Sequence, residues 1–154
     1  MNRIFLAVML FAGFAATCFA AAQVALDQNR RIEDNINLPF ANDDAVLGRW
    51  TSVDFVDEPS QFNPEQRHFK GDLFMKELKF LPGGKTSTLF ATKEGVETST
   101  VLTWTKGVVI HRGDKTAAKY EIKKIGDKEY LFLEWKSGDY TIRHMKPRYY
   151  VLKK

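Results

Sequence analysis

Apolar and polar residues alternate with a period of two from Trp50 onward, and turn residues recur about every ten positions. This alternation is typical of strands with one face in a core, and the regular turns favour an all-β sandwich or barrel over a helical fold. Glycine-containing turns such as Pro82-Gly83-Gly84 and Lys106-Gly107 join neighbouring segments as hairpins. Eight strands are predicted, at approximately residues 50–56, 74–81, 86–92, 99–104, 108–111, 118–123, 130–135 and 149–153.

The alternation also divides each predicted strand into an inner and an outer face. Lys119, Glu121 and Lys123 share one face of their strand, as expected where an antiparallel sheet has one side in water. Tyr130 and Phe132 are large on both sides of theirs, which makes that strand a candidate for cover on both faces. The candidate interior residues are Phe74, Leu78, Phe80, Thr100, Leu102, Trp104, Ala118, Tyr120, Ile122, Leu131, Leu133 and Trp135.

Eight antiparallel strands joined in sequence close naturally into an up-and-down barrel, whose interior is either filled by side chains or just wide enough for one small ligand. The longest connection, residues 57–73, carries Phe62 and Phe69. These phenylalanines could gate a pocket at the barrel mouth, or they could simply pin the loop to the rim. The predicted fold class is therefore an all-β, about eight-stranded antiparallel up-and-down barrel over residues 47–154.

The first 22 residues have a different character from the barrel segment. A short positive start at Arg3, an apolar run and a series of small residues at Ala20 to Ala22 are typical of a removable signal peptide. The run is shorter than the roughly 20 residues of a membrane-spanning helix, so no transmembrane segment is expected in the mature chain. Residues 23–46, rich in Asn and Asp, are predicted to be a linker or an N-terminal arm.

Cys18 is the only cysteine, and Ala15-Ala16-Thr17 before it is a poor lipoprotein motif, which argues against lipid anchoring. Cleavage after Ala20 or Ala22 leaves a mature chain without cysteine, which excludes disulfides and thiolate chemistry. We therefore expect an exported protein, periplasmic or extracellular, whose stability comes from packing.

Charge adds little to this picture, because the mature chain has 22 basic and 19 acidic residues of interspersed sign. The densest basic stretch, residues 143–154, contains Tyr149 and Tyr150, a combination also found on nucleic-acid surfaces. Alternating basic and aromatic residues also occur on a terminal barrel strand that has one face exposed to solvent. An exported protein is, in addition, rarely in contact with nucleic acid. No nucleic-acid partner is predicted.

The chain shows few residues with the spacing that catalysis requires. His68, His111 and His144 are isolated from one another, without the pattern of a zinc site, and no nucleophile elbow or phosphate-cradling loop occurs. Asp54 shares a face with Trp50 in the alternation and Glu134 lies between two core candidates, but outward-facing or salt-bridged positions are the preferred interpretation for both. We predict no enzyme, no metal and no cofactor.

Gly48, Arg49 and Trp50 stand at the start of the first predicted strand, and Arg148 directly precedes the last one. This arrangement resembles the lipocalin and wider calycin signature, in which an indole closes one barrel end and a basic residue from the last strand packs across it. The resemblance implies a structural role in barrel closure for Gly48, Trp50 and Arg148. It also puts any pocket at the opposite end of the barrel.

Tryptophan- and tyrosine-rich segments of the later strands carry a second resemblance: Trp104-Thr105-Lys106-Gly107, Lys119-Tyr120-Glu121-Ile122, Tyr130-Leu131-Phe132-Leu133-Glu134-Trp135-Lys136-Ser137-Gly138-Asp139-Tyr140-Thr141 and Lys146-Pro147-Arg148-Tyr149-Tyr150-Val151-Leu152. They are similar to a bacterial module found C-terminal to membrane metallopeptidases of the beta-lactam-sensor type and in stand-alone exported proteins. The similarity covers about residues 46–154. The chain lacks the peptidase and its zinc-binding motif, so the resemblance implies no peptidase activity.

Two functions follow as alternatives. The first is an exported binding protein for a small, largely apolar ligand. The second is a solid barrel that acts as an interaction or sensory module and touches envelope proteins. The size of the interior side chains discriminates between them, because eight strands leave only marginal space. The candidate ligand-binding residues are Phe62, Phe69, Trp104, Tyr120, Leu133 and Trp135.

Overall fold

The structure is a computed structural model, which describes residues 25–26, 32–136, 140 and 146–154. The predicted signal peptide lies outside these residues. Short 3-10 turns occur at Pro59–Gln61 and Pro82–Gly84. The strands are β1 Ala25–Leu26, β2 Ile32–Glu33, β3 Gly48–Val56, β4 Met75–Leu81, β5 Lys85–Thr92, β6 Gly95–Ser99, β7 Leu102–Thr105, β8 Val108–His111, β9 Thr116–Ile125, β10 Lys128–Trp135 and β11 Arg148–Lys153.

β1 and β2 form a separate antiparallel pair, and β3 to β11 form one antiparallel sheet that closes on itself. Around the ring, the order is β4, β3, β11, β10, β9, β8, β7 and β5, and the pairing of β5 with β4 completes the circle. Closure removes the exposed edges that an open sheet of this size would have. The predicted all-β, eight-stranded antiparallel barrel is confirmed, and its architecture is compatible with a lipocalin-like fold.

The fourth predicted strand, residues 99–104, is not a single strand in the structure: β6 and β7 take its place. β6 and β7 both pair with one edge of β5, through Thr88 with Ser99 and Lys85 with Thr103, and residues 100–101 interrupt them. The Ser99 hydroxyl accepts a hydrogen bond from the Val101 amide at 3.4 Å, a local turn contact that competes with strand pairing. The two segments therefore act as one bent strand of the barrel.

Aromatic side chains fill the end of the barrel where β3 begins, which we call the base. Trp50 is completely buried there, and its indole N–H donates to the Val46 carbonyl at 2.7 Å. The Phe80 ring centre lies 5.8 Å from that of Trp104 and 5.5 Å from that of Tyr120. Edge-to-face packing of this kind is favourable beyond simple burial and leaves little free volume at the base.

The tight turn between β4 and β5 shows why glycine is required beside this aromatic base. Gly84 has a φ of +79°, and a Cβ there would lie 2.9 Å from the Trp104 carbonyl oxygen. Both the backbone conformation and the close approach disfavour a side chain. The Trp104 indole N–H donates to the Leu81 carbonyl at 2.8 Å, so turn and core are held together.

A second cluster of buried residues lies on the outer face of the barrel. It contains Val56, Tyr130, Phe132 and Val151, and the Phe62 ring packs on the two aromatic members at 4.9 and 5.7 Å. Because Leu131 and Leu133 fill the interior on the same strand, the expectation that β10 is covered on both faces is confirmed.

Two irregularities move residues away from the faces that strict alternation gives them. The register of β4 shifts between Met75 and Glu77, so Met75 is buried and Phe74 is 51% exposed. The pairing of β3 with β11 shifts between Val151 and Leu152, which sets Asp54 opposite Val151 on the outer face. A bulge inserts one residue and reverses the inside–outside order beyond it.

Residues 34–46 run along the barrel wall. The Asp34 amide donates to the Lys115 carbonyl at 2.9 Å, and the Ala41 amide donates to the Thr105 hydroxyl at 2.8 Å. Further along, the Tyr120 hydroxyl donates to the Asp43 carboxylate at 3.0 Å. This segment, which we call the arm, crosses the β7–β8 hairpin from one end to the other.

Candidate functional site

A cavity of about 230 Å³ lies at the end of the barrel opposite Trp50, which we call the mouth cavity. Strands β8 and β10 reach this end with their last residues, His111 and Trp135, and β9 begins there at Thr116. The aromatic base and the mouth cavity therefore divide the interior into a filled half and an open half.

The wall of the mouth cavity is mostly apolar. The rings of Phe74 and Phe90 stack with centres 4.8 Å apart, and both contact Trp135 at 6.2 and 6.4 Å. Aliphatic side chains complete the wall opposite these rings: Val101, Leu102, Val109, Ala118 and Leu133. Such a surface favours an apolar ligand, because water in contact with it makes few hydrogen bonds.

His111 is a polar ring on the rim of the mouth cavity. Its Nδ1 accepts a hydrogen bond from the Asp114 amide at 2.9 Å. The Asp114 carboxylate is also 3.2 Å from Nδ1, but the amide already uses the lone pair of that nitrogen in the neutral ring. Neutral His111 therefore carries its proton on Nε2, which remains as a donor.

The rim widens where β9 and β10 cease to pair. The last paired residues are Tyr120 and Leu133. Beyond them, the β9 backbone forms hydrogen bonds with side chains instead of with the backbone of β10. The Glu134 carboxylate accepts from the Lys119 amide at 2.8 Å, while the Lys136 ammonium donates to the Ala117 carbonyl at 3.1 Å. These contacts satisfy the β9 backbone at the point where the strands separate.

Lys136 also connects the arm to the rim. Its ammonium lies 3.0 Å from the Asp34 carboxylate and 3.5 Å from that of Glu134. Burial opposes the charge on Lys136, but the two carboxylates outweigh it, so the pKa of Lys136 is raised above its usual value. Lys136 therefore stays protonated at neutral pH, and its contacts with Asp34 and Glu134, the ion triad, join the arm to the rim.

The structure brings together two of the six candidate ligand-binding residues at the mouth cavity, Leu133 and Trp135. Trp104 and Tyr120 lie in the aromatic base. Phe62 lies in the outer cluster, on the other side of the barrel wall. Phe69 packs edge-on against Phe55 at 5.9 Å.

Phe69 is nevertheless linked to the cavity wall through a chain of rings. Phe55 contacts Tyr150 at 4.7 Å, and Tyr150 contacts Trp135 at 5.1 Å. The Tyr150 hydroxyl accepts a hydrogen bond from the Met75 amide at 3.2 Å, which fixes its ring in place. Phe69 thus supports the wall indirectly and does not line the cavity.

The loop of residues 57–73 is held mainly by Asp54. The Asp54 side chain is only 1% exposed, and its carboxylate accepts hydrogen bonds from the amides of Phe55, His68 and Phe69, each at 2.8 Å. Three amide donors compensate for the burial of this charge. With Phe62 packed on the outer cluster, the loop covers the outer wall.

The three residues assigned to barrel closure occupy opposite ends of the barrel. Gly48, with a φ of +110°, and Trp50 lie at the base. Arg148 lies near the mouth, where its guanidinium is 4.4 Å from the Phe55 ring and its Nε is 2.6 Å from the Asp57 carboxylate. Lys154 takes the position over Trp50 instead, since the β11 chain runs down to the base.

Sequence reasoning did not single out most of the cavity-lining residues. Leu102 and Ala118 appeared as interior candidates, but nothing in the alternation distinguishes the open half from the filled half. Phe74 lies just before the bulge of β4, and Val101 lies in the break between β6 and β7. Neither irregularity has a sequence signal. The summed volumes of the inward-facing side chains along each strand are the sequence signal that could have indicated where the cavity lies.

Within the part of the chain that the structure describes, no three His, Cys, Asp or Glu side chains come together in a group able to hold a metal ion. Among the same residues, no helix combines the length and apolar character needed to cross a membrane. Comparisons of the chain with protein-family models, with curated proteins and with solved structures found no match.

Proposed function

We propose that this protein is an exported, lipocalin-like binding protein that holds a small, largely apolar ligand in the mouth cavity and catalyses no reaction. The observation that carries the proposal is the cavity itself, with its apolar wall at the open end of a barrel whose other end is filled. The resemblance of residues 46–154 to the module of beta-lactam-sensor-type proteins supports the lipocalin-like part of the proposal.

The size of the mouth cavity limits the ligand. An apolar cavity of about 150 Å³ is enough for a benzene ring, whereas drug-sized ligands occupy about 300 to 1,000 Å³. At about 230 Å³, the mouth cavity accommodates one ring with a few additional atoms. We therefore propose a compact aromatic or branched aliphatic ligand.

The polar rim adds a preference in orientation. The Nε2–H group of His111 is a donor, so a ligand with an acceptor oxygen gains one hydrogen bond at the rim while its apolar part contacts Phe90 and Leu133. Small polar contacts of this kind orient a ligand in an otherwise apolar site. A phenol or small aromatic carbonyl compound has both features.

A second candidate function, a protein-interaction module in the cell envelope, is favoured by the exposed apolar side chains beside the cavity. Phe74, Val96 and Val101 are 51%, 60% and 58% exposed. Exposed apolar clusters mark interaction surfaces more often than isolated residues do. On this alternative, the mouth binds a side chain of a partner protein.

The direct test is an NMR titration of the purified protein with phenol and toluene, in which the methyl groups of Leu102, Val109 and Leu133 are observed. Binding in the mouth cavity predicts saturable shifts of these three residues. Ala118→Leu fills part of the cavity and should abolish the shifts. Ala91→Leu adds the same atoms to the same sheet outside the cavity lining and should retain them.

Shifts that do not saturate, or that Ala118→Leu and Ala91→Leu weaken equally, would count against a ligand site. Native mass spectrometry of the protein purified from its own envelope separates the two candidate functions. A bound small molecule supports the first, and a bound protein supports the second.

A further inference from the structure

A second cavity, of about 200 Å³, lies on the outer wall between the loop of residues 57–73, the start of β10 and the end of β11. It shares no lining residue with the mouth cavity. We call it the loop cavity. Its apolar floor is made by Val53, Phe62 and Tyr130, with the Phe62 and Tyr130 ring centres 4.9 Å apart. The barrel interior takes no part in it.

Three cationic side chains line the loop cavity, and they come from three separate parts of the chain. Arg67 belongs to the loop, Lys128 begins β10, and Lys153 ends β11 directly opposite Tyr130. None of the three forms an ion pair with another residue that the structure describes. Their convergence therefore gives the loop cavity an excess of positive charge.

The one carboxylate in the lining does not neutralise these cations by contact. Both oxygens of Asp54 already accept backbone amide hydrogen bonds, from Phe55 and Phe69 on Oδ1 and from His68 on Oδ2. Three cations against one carboxylate leave a net charge of about +2 around the cavity, which attracts an anion.

Tyr130 supplies a free hydrogen-bond donor at the loop cavity. Its side chain is only 4% exposed, it lines the loop cavity, and its hydroxyl makes no hydrogen bond to any residue in the described parts of the chain. Its hydroxyl oxygen is not fully enclosed by protein, so it is open to a partner from outside the protein. A ligand in the cavity is in the position to be that partner.

We propose that the loop cavity binds a phosphate group, as a free phosphate monoester or as the headgroup of a phospholipid. A phosphate dianion matches the net charge, and its oxygens can accept from the two ammonium groups, the Tyr130 hydroxyl and the Arg67 N–H groups that do not donate to the Gly71 carbonyl. The volume of about 200 Å³ admits the phosphate with a short organic part resting on the Phe62 and Tyr130 rings.

The test uses the full mature chain and two soluble probes, inorganic phosphate and glycerol 3-phosphate, with binding followed by the amide NMR signals of Lys128, Tyr130 and Lys153. Vesicles of phosphatidylcholine with and without phosphatidic acid form the membrane arm. Saturable binding of the soluble probes identifies a free phosphate ligand. Binding confined to phosphatidic acid vesicles identifies the lipid headgroup.

Variants separate this site from general charge effects. Tyr130→Phe removes a single oxygen, and Lys128→Gln with Lys153→Gln removes two charges; each should weaken binding by about tenfold or more, as expected for lost hydrogen bonds to a charged group. The matched control, Lys93→Gln with Lys106→Gln, makes the same change in net charge at exposed positions outside the cavity and should alter affinity by less than about twofold.

The proposal is overturned if neither the soluble probes nor the phosphatidic acid vesicles bind. It is equally overturned if the control pair weakens binding as much as the cavity pair, since the attraction is then a property of the whole surface. Because the probes carry no large apolar group, these outcomes are independent of ligand binding at the mouth.

Discussion

The ammonium of Lys154 lies 5.3 Å from the centre of the Trp50 ring, and it also donates a hydrogen bond to the Ala45 carbonyl at 3.1 Å. The indole N–H of Trp50 donates to the neighbouring Val46 carbonyl at 2.7 Å. Two side chains from opposite ends of the barrel domain thus hold the same turn. The base is closed by hydrogen bonds to the arm as well as by packing.

Replacement of Trp50 by alanine should reduce the free energy of unfolding by about 3 to 5 kcal/mol, because the indole is fully buried and its loss leaves a large cavity. The loss includes the hydrogen bond to Val46, whose carbonyl then has no partner from this side chain. Urea unfolding followed by circular dichroism measures the change. An unchanged midpoint would remove the structural role of Trp50.

Lys154→Met is the control for the contribution of charge at the base. A cation–π contact made by an exposed ammonium contributes about 0.5 to 1 kcal/mol, so this variant should be much less destabilising than Trp50→Ala. A loss as large as that of Trp50→Ala would mean that the terminal residue, and not the indole, closes the barrel.

The barrel could be predicted because its signals are local. Alternation in segments such as Leu131 to Trp135, together with glycine turns, determines both strand positions and faces. The fold class follows from the number and order of the strands. The interior position of Trp104 and Tyr120 follows as well, since both were interior candidates and are buried.

The candidate site could be predicted only in part, because it depends on long-range geometry. Bulges near Val53 and Lys76 reverse the faces of Asp54 and Phe74, and a period-two pattern contains no sign of them. The loop of residues 57–73 was expected at the mouth, yet Phe62 packs on the outer wall. There it covers the outward-facing rings of Tyr130 and Phe132 on β10. Strand direction decides that Lys154 meets Trp50.

Asp54→Ala should release the loop of residues 57–73 from the barrel wall. Three amide donors lose their acceptor, and we expect a loss of about 2 kcal/mol or more in the free energy of unfolding. Arg67 and Lys70 lie in this loop, so trypsin reports its release directly. Cleavage after these residues should become faster under conditions in which the barrel stays folded.

Glu58→Ala is the comparison for Asp54→Ala, because it removes an exposed carboxylate from the same loop without removing the Asp54 contacts. Its trypsin cleavage rate should stay close to that of the unaltered protein. Equal rates for both variants and the unaltered protein would show that Asp54 does not hold the loop.

The protein should lose stability in alkaline solution through Tyr120. Burial, with a contribution from the Asp43 carboxylate, raises the pKa of Tyr120 above the usual value of 10.0. The unfolded phenol therefore ionises first, so the stabilisation is fully present below pH 10.0 and is lost as the pH rises above it. The expected slope is about 1.4 kcal/mol per pH unit for this one proton.

Tyr120→Phe isolates this contribution, because it keeps the ring and removes the ionisable group. The variant should be about 1 kcal/mol less stable near neutral pH, from loss of the hydrogen bond to Asp43, and its stability should fall less steeply above pH 10.0. Urea midpoints measured for both proteins across the alkaline range give the two slopes. Parallel slopes would contradict a buried, neutral Tyr120.

Lys136→Met should detach the arm at Asp34. Without the ammonium, the carboxylates of Asp34 and Glu134 face each other unneutralised, and the expected loss is about 1 to 3 kcal/mol, below that of a completely buried pair. Because the pKa of Lys136 is raised, the stabilisation is fully present below its usual value of 10.5 and is lost as the pH rises through the folded value.

Hydrogen exchange locates the effect of Lys136→Met. The amide of Ala117 donates to Asp34 and that of Lys119 donates to Glu134, so both should exchange faster in the variant while the amides of Leu131 and Leu152 stay protected. Lys79→Met, an exposed lysine of β4 without an ion pair to any described residue, is the matched control and should change neither. If Ala117 and Lys119 remain protected in Lys136→Met, the ion triad does not hold the arm, and backbone contacts such as that of Asp34 with Lys115 do so instead.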